Sequence, residues 1–311
     1  VKHVLESKPK GTELQKAVAT LGPMRLHTIH TGNFKLDGGA MFGVVPRQLW
    51  SKTNPPDALN LCTWAMRSLL VECGDRLVLV DCGIGNKQSQ KFFSHYHLHG
   101  DHSLEGSLAQ AGFVKEDITD VFLTHLHFDH VGGGVTRRQD GVLVPTFPNA
   151  RYWSTQDHWD WATQPNPREK ASFLSENMLP LAESGQLHMV KREGRISRHA
   201  MGIEGWDVFF ADGHTESQMI PLIQQAGKPT MAFMADLLPS TGHIPLAYVM
   251  GYDTRPLLTL EEKKLFLDTA ADEGWVLFLE HDAEHAACTV KHTDKGVRLD
   301  QAAPSWQELM G

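Results

Sequence analysis

Histidine and aspartate recur in this chain at the spacing His-x-His-x-Asp-His, first at His97-Leu98-His99-Gly100-Asp101-His102 and again at His125-Leu126-His127-Phe128-Asp129-His130. Imidazole and carboxylate groups are ligands for zinc and for other first-row divalent ions. In an extended backbone, residues two apart face the same side, so His125 and His127 can grip one ion. Asp129 and His130 follow once the chain turns and can face a second ion beside the first.

Context separates the two copies. Ile118-Thr119-Asp120-Val121-Phe122-Leu123-Thr124 reads as a buried strand that delivers the second copy at its carboxyl end. Val131-Gly132-Gly133-Gly134 follows at once, and glycines there would let backbone crowd close to an ion. The first copy follows Lys91-Phe92-Phe93-Ser94-His95-Tyr96, with no strand before it and a helix expected over 103–111. The second copy is therefore taken as the metal site and the first as a polar, His-rich loop.

Elsewhere the pattern gives strands at 24–31, at 64–72 and 76–80 around a Cys73-Gly74-Asp75 hairpin, at 151–153, 206–211, 218–224, 230–235 and 275–279. Asp37-Gly38-Gly39-Ala40 reads as a turn and 51–60 as a loop. Helices are expected over 155–162, 168–183 and 260–273. Two packed sheets covered by helices satisfy this order, an α/β fold with one domain over 24–311 and an amino-terminal extension over 1–23. Three further ligand-type residues close apolar strands: His214 in Ala211-Asp212-Gly213-His214, Asp236 after Met234-Ala235, and His281 after Leu279-Glu280.

A net charge of −8 argues against nucleic acid as the main partner. No apolar run reaches the length of a membrane span, and Val1-Lys2-His3-Val4 is no signal peptide, so a cytoplasmic location is expected; the missing initiator Met suggests a trimmed start. Cys62, Cys73, Cys82 and Cys288 lack CxxC spacing and fit buried thiols in a reducing compartment.

The ordered set His125-x-His127-x-Asp129-His130, Asp212-Gly213-His214-Thr215, Ala235-Asp236 and Glu280-His281-Asp282 resembles the metallo-β-lactamase superfamily, from about Met24 to about His292. The resemblance implies an αββα sandwich holding two divalent ions, zinc first, with iron, cobalt or manganese as alternatives. His125, His127 and His214 would hold one ion and Asp129, His130 and His281 the other, with Asp236 bridging. Asp81, in Asp81-Cys82-Gly83, would hydrogen-bond a ligand histidine from behind.

Asp37 through Pro46, Asp81 through Lys87 and Ala235 through Ser240 look most like the quorum-quenching lactonase branch, especially its YtnP-like members, and share much with methyl parathion hydrolases. The implied activity is opening of a lactone or ester by a hydroxide shared between the ions, N-acyl-homoserine lactones foremost, with Asp129 carrying the proton to the leaving oxygen. A phosphotriesterase on the same fold is the alternative; a non-catalytic metal-binding sensor or scaffold is the alternative of another class. Lactonases of the best-known type place a Tyr three residues after the bridging Asp, where this chain has Pro239. Met41, Phe42 and His243 are the substrate-contact candidates, and Trp153, Trp159 and Trp161 could roof the pocket. The partner expected is a small-molecule lactone or ester, with no nucleic acid and no membrane, and a homodimer is the assembly to test.

Overall fold

The computed structural model describes residues 24–310, so the expected extension over 1–23 lies outside the described residues. Two sheets face one another. The first runs β1 (Met24–Asp37), β2 (Leu61–Cys73), β3 (Arg76–Val80), β4 (Asp120–Phe122), β7 (Arg151–Ser154) and β8 (Leu187–Met189). The second runs β15 (Gly296–Ala303), β14 (Ala287–Thr293), β13 (Val276–Phe278), β12 (Met231–Phe233), β11 (Gln218–Ile223), β10 (Trp206–Ala211) and β9 (Ile196–Ser197). A small ribbon of β5 (Val135–Arg137) and β6 (Leu143–Pro145) sits apart. Pairing is mixed: β3, β4, β7 and β8 run parallel, as do β12 and β13, and the remaining neighbours are antiparallel.

Alternation along single strands makes the layers. In β3, Val78 and Val80 join the core between the sheets, while Leu77 and Leu79 join the core beneath the outer helices. The same split puts Phe122 inside and Val121 outside on β4. Helices Leu104–Gln110, Gln156–Thr163 and Ser175–Glu183 contribute Leu108, Ala162, Met178 and Leu181 to the outer layer of the first sheet. Helix Pro256–Glu273 packs Phe266, Leu267 and Ala270 against the second sheet. The result is an αββα sandwich.

Several local expectations shift. Asp37-Gly38-Gly39-Ala40 opens a helix, Gly38–Phe42, not a turn, because the Asp37 carboxylate caps the Ala40 N–H at 2.8 Å. β1 runs on to Asp37 past an irregularity between His30 and Gly32, where Gly32 takes φ of 119°. The helix expected from 168 begins only at Ser175, since the Asn166 side chain accepts from the N–H groups of Arg168 and Glu169 and holds a turn there. The β14–β15 hairpin has no counterpart among the sequence expectations: its strands lie at a sheet edge and carry Lys291, Arg298 and Asp300 on an open face. All four cysteines are free thiols. No helix among the described residues is long and apolar enough to cross a membrane.

Candidate metal centre

The strand β4 ends at Phe122, and the next residues carry the second hexapeptide into a buried helix, Phe128–Val131. His125 and His127 precede that helix, Asp129 and His130 lie within it, and all four are buried. Gly132 and Gly133 have a different task from the one expected. A Cβ at Gly133 would stand 2.1 Å from the Cys82 carbonyl oxygen, and one at Gly132 would stand 2.2 Å from that of Ile84. The glycines thus let the motif turn pack on the 82–84 backbone, not on an ion. Gly133 N–H to Gly83 O at 2.9 Å and Cys82 N–H to His130 O at 2.7 Å lock the two segments together.

The second sheet brings the remaining residues just past the ends of its strands. His214 follows β10, Asp236 sits in a short turn after β12, and His281 follows β13. Asp236 joins two donor groups. Its Oδ2 lies 3.1 Å from His214 Nε2 and 3.9 Å from His125 Nε2, while its Oδ1 lies 3.1 Å from His281 Nε2 and 3.6 Å from His130 Nε2. In the first group His127 Nδ1 is 3.0 Å from His125 Nε2 and 3.1 Å from His214 Nε2. In the second, His130 Nε2 and His281 Nε2 are 3.2 Å apart, with Asp129 Oδ2 3.8 and 3.9 Å from them.

These separations test the fit of a metal. Ligand nitrogens at about 2.0–2.1 Å from a tetrahedral ion stand about 3.3 Å from one another, close to the spacings found here. Asp236 Oδ1 is buried without a hydrogen-bond partner, as a ligand oxygen would be. The residues fit two divalent ions sharing Asp236.

Each imidazole is fixed from behind through its other nitrogen. His125 Nδ1 meets Thr124 Oγ1 at 3.1 Å, His214 Nδ1 meets Asp253 at 3.0 Å, and His281 Nδ1 meets the Ala65 carbonyl at 2.8 Å. His127 Nε2 faces Glu169 at 3.4 Å, and Glu169 itself accepts from Trp161 and Asn166, each at 2.7 Å. His130 Nδ1 lies between two buried carboxylates, Asp81 at 3.0 Å and Glu280 at 3.1 Å. Asp81 also accepts the Thr124 N–H and hydroxyl, at 2.8 and 2.6 Å. Glu169, Asp253 and Glu280 went unread in the sequence. Glu280 carried a usable signal, an acid ending the apolar run Val276-Leu277-Phe278-Leu279, where a buried charge requires a partner. Glu169 and Asp253 carried none.

Burial, reinforced by His130 and His127, holds His125 well below the ordinary imidazole range and keeps it neutral. Burial opposes charge on His214 and His281 too, but Asp236 with Asp253 pushes His214 up to about 10, and Asp236 with Glu280 pushes His281 up to about 9. The carboxylates that favour protons on these rings would equally favour a divalent cation.

Both donor groups open on one cavity of about 370 Å³, whose wall includes Phe34, Leu36, Met41, Phe128 and Met250 as well as His127, Asp129 and Asp236. Met41 lines it. Phe42 and His243 do not: they stack on each other at 4.2 Å behind the wall, with His243 Nε2 on the Met41 carbonyl. His243 is thereby a packing residue that holds Met41, and burial lowers its pKa to about 3. Of the tryptophans, Trp161 holds Glu169 and Trp153 donates to Asp120 on β4; none borders the cavity. The first hexapeptide is exposed throughout, and its side chains form no ligand group among the described residues.

Comparison with known proteins matches a profile described as "Metallo-beta-lactamase superfamily" over residues 67–281. A Bacillus subtilis (strain 168) protein described as "Probable metallo-hydrolase YqjP" is 27% identical over 167 residues, 50% of this chain, and the match spans only 48% of that relative. A solved probable metal-dependent hydrolase from Staphylococcus aureus superposes with a TM-score of 0.80 at 28% identity, covering 91% of this chain and 98% of its own. The dizinc quorum-quenching lactonase AidC, solved with a product, superposes with a TM-score of 0.70 at 21% identity, covering 90% and 95%. The last of these likenesses is one of fold.

Proposed function

We propose, because this chain belongs to the metallo-beta-lactamase superfamily, that it is a two-metal hydrolase which opens lactones or related carboxylic esters, N-acyl-homoserine lactones foremost. The observation that carries the reading is the shared Asp236: two donor groups meet on one carboxylate at the floor of a cavity with an apolar wall. His125, His127, His214 and Asp236 would hold one ion, and Asp129, His130 and His281 the other, with Asp236 reaching it through Oδ1. When bound, two such ions supply Lewis acidity and a water activated near neutral pH.

The protein's own groups do the rest. The apolar wall displaces water from around the reacting carbonyl, which strengthens every polar interaction at the floor. Asp129 lines the cavity as well as facing both His130 and His281, so its carboxylate can take the proton from the attacking water. The same carboxylic acid then gives that proton to the leaving alkoxide as the acyl–oxygen bond breaks. Asp81, Glu280 and Asp253 keep the ligand rings in one tautomer and orientation.

The test is a rate comparison on zinc-loaded protein, using an N-acyl-homoserine lactone series and a paraoxon-type phosphotriester, with Asp236→Asn and Asp129→Asn alongside. Lactone hydrolysis is expected to fall in both variants, by about 100-fold or more in Asp129→Asn, the usual scale of a lost general acid–base. Faster turnover of the triester would replace the substrate assignment. Binding of metal without turnover of either class would leave a sensor or scaffold.

A further inference from the structure

The wall of the cavity contains two tyrosines whose hydroxyls the fold does not use. Tyr96 belongs to the segment that leads into the first hexapeptide, and Tyr252 to the loop before helix Pro256–Glu273. No described residue pairs with either hydroxyl, whereas the buried Tyr152 both donates to Gly134 O and accepts the Phe147 N–H. Their positions are fixed all the same. The Tyr96 ring packs on Phe128 at 4.7 Å and Phe92 at 4.9 Å, and its carbonyl accepts the Lys35 N–H of β1 at 2.7 Å. Next to Tyr252, Gly251 donates to the Ala40 carbonyl at 2.8 Å, and its own carbonyl accepts from Arg168.

Depth separates these phenols from the reacting atoms. Asp129 and Asp236 lie at the floor with 8% of their surface exposed, while Tyr252 is 40% exposed and stands toward the mouth. The wall's one guanidinium, Arg168, turns Nη2 onto the Gly251 and Asp253 carbonyls. A phenol is a neutral donor at physiological pH and suits an uncharged acceptor.

We propose that Tyr96 and Tyr252 hold an uncharged acceptor of the substrate that lies outside the scissile bond, such as an amide carbonyl, and so select lactones bearing an acylamino group over bare lactones. This rests on the hydrolase reading and names the residues that would discriminate within its substrate class. It also gives a role to Tyr96, the residue just before the first hexapeptide, as part of the cavity wall.

The experiment measures kcat and KM for N-hexanoyl-homoserine lactone and for γ-butyrolactone, in the zinc-loaded wild type, Tyr96→Phe, Tyr252→Phe and the double variant. The dissociation constant of the corresponding non-hydrolysable acylamino lactam is measured in parallel. Each single variant should lose about 10-fold in kcat/KM on the acylamino lactone, the scale of one neutral hydrogen bond, mainly through KM. The lactam should bind weaker by the same factor, and γ-butyrolactone should change less than about 2-fold. Equal losses on both lactones, or none, would overturn the proposal, as would lactam binding unchanged in the double variant. A wild type that opens neither lactone would instead sink the hydrolase reading, and the lactam measurement would still decide the role of the phenols.

Discussion

Asp81→Asn tests how the second donor group is held. The native carboxylate receives three donors: the Thr124 N–H at 2.8 Å, the Thr124 hydroxyl at 2.6 Å and His130 Nδ1 at 3.0 Å. An asparagine of the same shape keeps one acceptor oxygen and points an NH2 at a donor. The buried site then has an unsatisfied group and a donor–donor contact, a cost of about 1–3 kcal/mol. His130 need not lose its anchor altogether, since Glu280 Oε2, which has no hydrogen-bond partner in the intact protein, lies 3.1 Å from the same Nδ1 and can take it over. Loss of one supporting partner costs roughly 10–100-fold in metal affinity, and the surviving carboxylate places Asp81→Asn near the lower end. Glu280→Gln alone should be comparably mild, and the double variant should lose more than the two single losses combined, because only then is Nδ1 without a carboxylate. Competition of zinc-loaded protein against a chromophoric chelator, with stoichiometry by elemental analysis, reads both ions. A single substitution that empties the second site as fully as the double, or a double that retains it, would refute the shared-anchor argument.

Three further outcomes follow from the frame. Gly133→Ala should destabilise the protein by roughly 3 kcal/mol or more, the upper range of overpacking, since the atom met at 2.1 Å is a backbone oxygen; an unchanged melting temperature would contradict it. Arg67→Met should both lower the melting temperature and weaken the second metal: the buried Arg67 guanidinium of β2 donates to Leu279 O at 2.6 Å and Asp282 O at 3.0 Å, on either side of His281. Thermal scans and metal content together check this, and a loss of metal with no loss of stability would be against it. Asp120 is buried, which alone would raise its pKa, but Arg76, Trp153 and Thr119 outweigh burial and hold it below the ordinary value. The stability it contributes is therefore full above about pH 3.9 and is lost as pH falls through the lowered folded value. The gap in denaturant stability between wild type and Asp120→Asn, roughly 3 kcal/mol at pH 7, should narrow only under strong acid; a gap independent of pH would show that the charge is irrelevant.

The sequence is legible where one residue's environment is set by its own strand. The apolar run Arg76–Val80 needs two buried faces, and it has them. Ligand-type residues that end apolar strands could be picked out singly, and the structure gathers His125, His127, Asp129, His130, His214, Asp236 and His281 on one floor. What could not be read depends on contacts across the two sheets. The Ala65 carbonyl that orients His281 is an ordinary backbone group on β2, and no residue type announces it. The 168–174 stretch reads as helix by composition, whereas the Asn166 side chain takes the N–H groups of Arg168 and Glu169 and donates to the Glu169 carboxylate, contacts that composition does not announce. Phe42 and His243 stand beside the site in sequence logic but pair with each other, since an aromatic stack and a backbone carbonyl satisfy both.

The two hexapeptides show why spacing alone does not make a centre. At His125 to His130 every ring has a second nitrogen bound to a group fixed elsewhere, whether Thr124, Glu169 or the Asp81–Glu280 pair, so that the free nitrogens converge to 3.0–3.2 Å with those of the second sheet. At His97 to His102 the backbone is held by Asn33, yet His97 takes a left-handed φ of 45°, His99 is turned onto its neighbour's carbonyl and His102 stacks on His30 at 5.0 Å. His99 Nε2 meets Thr63 Oγ1 at 3.4 Å, and these side chains form no ligand group among the described residues. An ion there would have to order exposed side chains at a cost of about 0.5–1.5 kcal/mol each, without supporting carboxylates behind them. The same six-residue pattern gathers its donor atoms where two sheets close on it and leaves them ungathered where they do not.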